Sequence, residues 1–482
     1  MPKNEPDYTR PFRHKERGWI FLNGNVRHED DLIQMFRRHI LKPNHTNPSI
    51  NKSRKVLLIT AAFDRTMEHR DRHLIALFER LNIDAQWHHD LPHNIQNLSV
   101  YTMFSDFQEK EPWLYRRYTE KQDQIKTVKR DYHYKVFGYV KHFNELRKYL
   151  ENCYPGLSLF DFFYSSKITD NPNFFLINFT RSKAEKHLKL LKKLHGSASD
   201  MARCEEIRRI IDHLVYLDDE IFSLCFEIER YFLQKSGVAQ SQLYQEQRAD
   251  LQNRIVKSAS IFIFGGRVFV LVNRLRFYQL ATYFESALAQ GTNIYGISAG
   301  SICQTYRFSL SFDRANSAGY VFAADFGLGL IKGMRIFPHA NDINYIAHAT
   351  QDELTFFVLR HREKVAIGLR EMSVLLCEVY RDPVDQKLYK RFSSVGEHPV
   401  MVFGERGERV DLHYLDEIFM EGSKFYSGIV QVARRRDVLE LEKRWRHDRR
   451  LKRVQSYLEN DLKTDPESDH IVHSDNPDNT IP

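Results

Sequence analysis

Gly296-Ile297-Ser298-Ala299-Gly300 is the segment that most restricts how this chain folds. It follows a run of strand character, Thr292-Asn293-Ile294-Tyr295, and leads into residues able to begin a helix. A serine flanked by small residues at such a strand-to-helix turn sits on a sharp, strained elbow. Its hydroxyl is then exposed, and the next backbone N–H points into the space where an oxyanion would form. Glycine is needed at both flanks because a side chain there meets the neighbouring strand or the helix. G-x-S-x-G is a short motif, so its surroundings have to carry the argument.

Upstream, Ile261-Phe262-Ile263-Phe264 is a fully apolar run, as expected of a buried parallel strand. It ends at Gly265-Gly266, after which Leu271, Leu275, Tyr278, Ala281, Phe284 and Leu288 recur at helical spacing. Two glycines at a strand end let backbone N–H groups approach a ligand, which suits an oxyanion donor or an anion site. Downstream, Gly327-Leu328-Gly329-Leu330 precedes Met334-Arg335-Ile336-Phe337-Pro338-His339, a second short apolar segment that ends in histidine. Asp313 lies fifteen positions after Ser298. The chain order Ser, Asp, His offers a nucleophile, an orienting acid and a general base. Asp325 and Asp342 are alternative orienting acids.

That order also fits an α/β-hydrolase, but there several strand–helix units separate nucleophile from histidine, and the roughly forty residues here are too few for them. The compact arrangement resembles the peptidase S51 family (dipeptidase E and cyanophycinase relatives), which has a class I glutamine-amidotransferase-like fold. The matching pieces are Ile263–Gly266, Gly296–Gly300, Gly327–Leu330, Phe337-Pro338-His339 and Ala366-Ile367-Gly368-Leu369-Arg370-Glu371. Gly18–Gly24 and Lys55–Thr60 resemble the first two strands, so the likeness covers residues 17–100 and 257–405. It implies an α/β protein, a three-layer α/β/α sandwich with a mainly parallel sheet. It further implies Ser298 as nucleophile, His339 as base and Asp313 as third triad member. Ala299 N–H and a backbone N–H near Gly266 would form the oxyanion hole, with Gly265, Arg267 and Glu371 shaping the site. Arg267 is a departure, because the family's loop is richer in glycine. A long cation there either recognises an acidic substrate, which relatives favour near the scissile bond, or fills the site. Serine rather than cysteine at the elbow favours hydrolysis of a small peptide or related amide over glutamine hydrolysis. Cys303 reads as a small buried residue.

The organisation expected is an arm (1–16), an α/β catalytic domain (17–100 and 257–433), an inserted helical subdomain (101–256), a basic helix (434–460) and a disordered tail (461–482). A third strand is expected at Ile83, Ala85 and Trp87. In the insertion, Tyr134, Phe137, Val140, Phe143, Leu146 and Leu150 recur at three- and four-residue steps, as do Ile221, Leu224, Ile228 and Phe232. Pro155-Gly156, Thr169–Asn173 and Gly196-Ser197 separate its helices, and Phe174–Phe179 reads equally as helix or strand. Aromatic residues at such spacing usually form core. They could instead give a surface for a homo-oligomer or protein partner, or a lid over the site. A catalytically inactive, S51-like binding or assembly protein acting through this insertion is the competing expectation.

Five scattered cysteines argue against a disulfide framework or structural zinc and fit a reducing compartment. Trp87-His88-His89-Asp90-Leu91-Pro92-His93 gathers metal-capable groups without a completed ligand spacing, so neither a metal nor a cofactor is expected. Met1–Asp7 carries no apolar stretch and no run reaches membrane-spanning length; no membrane association and a cytoplasmic location are expected. A net charge of +8 does not demand a polyanion. The basic run Arg434–Arg453 interleaves Asp437, Glu440, Glu442 and Asp448, which suits a solvated helix more than a nucleic-acid surface.

Overall fold

Alternate residues of each central strand face two different cores, and that alternation sets the layers. In chain order the strands are β1 (Ile20–Asn23), β2 (Val56–Ile59), β3 (Ile95–Asn97), β4 (Ser260–Ile263), β5 (Asn293–Ile297), β6 (Arg307–Ser311) and β7 (Phe322–Phe326). They continue as β8 (Met334–Pro338), β9 (Val365–Leu369), β10 (Val374–Arg381), β11 (Leu388–Ser394), β12 (Val400–Gly404), β13 (Arg409–Leu412) and β14 (Glu417–Glu421). The computed structural model describes residues 17–63, 68–81, 94–165, 181–311, 322–340, 356–360, 365–381, 388–404, 409–413 and 417–421. Outside them lie the arm, Ile83-Ala85-Trp87, the His88–His93 cluster, Thr169–Phe179, Asp313, Asp342, the basic segment and the tail.

One sheet has the order β14-β11-β10-β1-β5-β4-β2-β3. Its β1, β5, β4, β2 and β3 run parallel, and β10, β11 and β14 add antiparallel strands at one side. The strand that pairs with β2 after the second βα unit is Ile95–Asn97. Leu22, Ile59, Ile263 and Ile294 point into one core, and Phe21, Leu58, Phe262 and Tyr295 into the other. Helices Glu29–Leu41 and Glu68–Glu79 cover the second face, where Phe262 and Tyr295 stack at 4.2 Å. Helices Val268–Phe277 and Ala281–Ala289 pack on the first. The result is an α/β/α sandwich with a mixed, mostly parallel central sheet. A second sheet, β13-β12-β9-β8, carries β8 and β9 in parallel.

The helical periodicity after Gly266 is interrupted at Gln279, which has φ 54°. No glycine or proline marks the break. The hydroxyl of Tyr244 donates to Phe277 O (2.6 Å) and Arg248 Nε donates to Tyr278 O (3.2 Å), so carbonyls orphaned by the helix end find partners on a neighbouring helix.

Between β3 and β4 the described chain is helical. The dominant pair, Pro112–Cys153 and Ala198–Lys235, is antiparallel, since Lys121 meets Glu229 while Tyr139 meets His213. Ser197 caps the second of these by accepting from Asp200 N, as the Gly196-Ser197 break anticipates. Of the expected stripe, Val140, Phe143 and Leu150 are buried and Leu146 packs against the same core. Ile125, Tyr132, Val136, Val140, Phe143 and Leu150 face inward, whereas Tyr134 and Phe137 are 75% and 48% exposed. Likewise Cys225 is buried and Leu224 is exposed. Helices Val100–Lys110 and Gln242–Val256 share the first core of the sheet, through Phe107, Tyr244 and Leu251. Among the described residues no helix is long and apolar enough to cross a membrane.

Candidate active site

Ser298 lies immediately beyond the carboxyl end of β5, with φ 53° and ψ −114°, and Ala299–Ile302 forms a short helix behind it. A non-glycine residue in this region is strained and persists only where its surroundings over-determine it. Two kinds of contact do so here. The first is steric: a Cβ built on Gly300 would stand 1.9 Å from Ile263 O, so only glycine lets the short helix approach β4. The second is a set of hydrogen bonds to the end of β1. Ser298 N donates to Asn23 O (3.1 Å), and Ser301 Oγ donates to Asn23 O (2.7 Å) while accepting from Asn23 N (2.9 Å). Asn23 and Ser301 are both fully buried. Neither carries a motif of its own in the sequence, because their role depends on chain segments that meet across the fold. A small hydroxyl three residues past the serine was the available signal.

His339 follows β8 directly, on the other sheet. Its φ is 58° and it is 4% exposed, with Nε2 2.9 Å from Ser298 Oγ. Ala340 N donates to Leu369 O (3.1 Å), which continues the β8–β9 pairing past the histidine and fixes where the imidazole leaves the sheet. A serine hydroxyl within hydrogen-bond reach of an imidazole is the geometry required for deprotonating a nucleophile.

The loop after β4 borders the elbow. A Cβ on Gly265 would lie 3.0 Å from Ser298 Cβ and 3.3 Å from Ala299 N. Ala299 is the first helical residue, so its N–H has no acceptor within the helix, and a bare Gly265 keeps the space before it open. Gly266 has φ 127°, and Arg267 after it is exposed at the start of helix Val268–Phe277. Glu371 is exposed in the turn after β9, bridged to Asn25 and 4.0 Å from Arg27 Nε.

Asp313 lies outside the described residues. Asp325, the alternative orienting acid, is committed elsewhere: one oxygen accepts from Arg276 Nη1 at 2.7 Å and the other from Lys129 Nζ. Burial would raise its carboxyl, but those two cations outweigh burial and hold it at about 2. Cys303 is fully buried and its thiol is pushed well above the ordinary range by burial, in keeping with a packing role. Among the described residues no group of three or more His, Cys, Asp or Glu could hold a metal.

Residues 226–379 match the family model for Peptidase family S51. That span holds β4, the Gly265-Gly266 loop, the elbow and His339. Among solved structures, the chain is similar to a peptidase from an acI-B1 Actinobacterium at 18% identity, with a TM-score of 0.28. The similarity covers 36% of this chain and 66% of that one. No curated protein matches.

Proposed function

We propose that this protein is a serine hydrolase of the S51 type that cleaves a peptide or related amide bond. The observation that carries this is Ser298 Oγ at 2.9 Å from His339 Nε2, on an elbow strained at φ 53°. The family match over the same residues supports it. Ser298 Oγ attacks the carbonyl carbon while His339 Nε2 takes the hydroxyl proton. The resulting oxyanion accepts from Ala299 N–H and a backbone N–H near Gly266. His339 returns the proton to the departing amine, and water then hydrolyses the acyl-enzyme with the same base. Asp313 orients the imidazole in this proposal, and exposed Arg267 receives an acidic group of the substrate.

Labelling of wild type and Ser298→Ala with a fluorophosphonate, read by intact mass, tests the reading. One adduct on wild type and none on the variant is expected. A folded wild type that takes no adduct at Ser298 would remove it.

A second reading, a binding or assembly protein, is favoured by one observation. Every exposed large apolar side chain recorded among the described residues, including Trp113, Tyr134, Tyr216 and Tyr231, lies on the two long helices. Light scattering across a concentration series, with Tyr134→Ser and Tyr216→Ser as controls, separates this reading from the first.

A further inference from the structure

The two long helices touch the segment that carries the proposed base. Between β8 and β9 the described residues 356–360 are helical. That segment has two faces. Phe356 and Leu359 enter the core of the long helices, where Phe356 packs on Phe143 at 4.8 Å. Phe357 and Val358 enter a separate small cluster with Phe337 and Ala340, the residues flanking Pro338 and His339. Phe357 stacks on Phe337 with ring centroids 5.0 Å apart and planes at 21°.

Arg360, in the same segment, is fully buried. Its Nε and Nη2 donate to the two oxygens of Asp218, each at 2.8 Å, and Nη2 also donates to Tyr132 OH at 2.8 Å. Tyr132 OH in turn donates to Asp218. Asp218 and Tyr132 come from different long helices, so one guanidinium fastens the segment to both. Four residues after Asp218, on the same helix face, Phe222 packs into the small cluster with Phe337 and Ala340. The anchor and the buttress therefore belong to one helix stripe.

We propose that Arg360, Phe357 and Phe222 are positioning residues for His339: the two long helices hold the imidazole against Ser298 through the Phe357–Phe337 stack. The inference rests on the hydrolase reading for its catalytic consequence, though not for its structural one. His339 keeps a left-handed backbone at the very end of β8. Such a conformation needs neighbours that forbid relaxation. A bidentate, fully buried ion pair restricts direction as well as distance, which an apolar contact alone does not.

The test compares wild type, Phe357→Leu, Phe357→Tyr and Phe222→Leu, each confirmed as folded by thermal midpoint. Two readouts are taken: the rate of fluorophosphonate labelling at Ser298 against pH, and the titration of His339 by nitrogen-15 histidine NMR, assigned with His339→Gln. Phe357→Leu should slow labelling on the order of tenfold to a hundredfold and displace the pH profile. It should shift the His339 titration while leaving other histidines unmoved. Phe357→Tyr, which keeps the stack, should restore both. Phe222→Leu covers the case in which the Phe357 variant fails to fold. A His339 titration identical to wild type in both leucine variants overturns the proposal. Should wild type take no label while the variants still move His339, the hydrolase reading falls and the positioning role stands.

Discussion

The elbow and the helix junction bury their chains by opposite means. Around Ser298 the structure relies on neutral groups: glycines that remove bulk, and the Asn23–Ser301 hydrogen bonds that pin one strand end. Where the long helices meet helix Val268–Phe277 and β7, charge dominates. Arg276 bonds both Asp325 and Glu229, Lys129 bonds Asp325, and Lys121 donates to Glu229 at 2.8 Å. Sheet packing is cheap and non-directional, whereas buried ion pairs stabilise little but strongly penalise any misfit. Strain at the elbow can thus be held by close packing, while the register of the long helices is set by charge.

The sharpest break between the two regions is predicted for Ser298→Ala. Turnover should fall by about 10⁴-fold or more with an unchanged thermal midpoint, because in the proposed mechanism the hydroxyl serves chemistry only. Asp325→Asn should do the reverse, costing about 3–5 kcal/mol in chemical denaturation by leaving Arg276 and Lys129 underpaired. If it unfolds no more easily than wild type, the junction is not organised by charge. Gly265→Ala introduces a methyl 3.3 Å from Ala299 N. A loss of turnover near 10²-fold with little change in stability would locate the oxyanion donor there.

A smaller effect concerns acid. The Asp325 carboxyl sits at about 2, below its ordinary 3.8, so its stabilisation is complete above roughly pH 4 and vanishes as pH falls toward 2. Asp325→Asn should therefore remove about 2 kcal/mol of the pH dependence of unfolding in that window. Smallest is Arg267→Ala. Exposed charges contribute little, so the Michaelis constant for acidic peptides should rise about threefold, with neutral peptides unaffected. Equal effects on both would leave Arg267 without a recognition role.

Glycine spacing made the elbow legible, because Gly296 and Gly300 encode a steric requirement in the sequence itself. The β-strands beneath it were legible as apolar runs for the same reason that they bury both faces. Ile95–Asn97 was not, being only three residues long with two of them polar. Gln279 was hidden because the break in its helix is held by Tyr244 and Arg248, far along the chain. In the long helices the spacing located Val140, Phe143, Leu150, Ile221 and Phe232 in the core, but it also drew in Tyr134, Phe137 and Leu224, which lie at the exposed margin of the same stripes. Asn23 and Ser301 illustrate the general limit: a supporting residue acquires its role from its partner, and the partner is 278 positions away.

Ser298 directly follows a strand of the eight-stranded sheet, while His339 directly follows a strand of the four-stranded one. The distance between hydroxyl and imidazole is therefore a gauge of how the two sheets are aligned. Sliding one past the other by about an ångström would open the pair yet leave every ladder of backbone hydrogen bonds intact. On gentle warming, reactivity of the serine should fade while circular dichroism still reports a full complement of strand and helix.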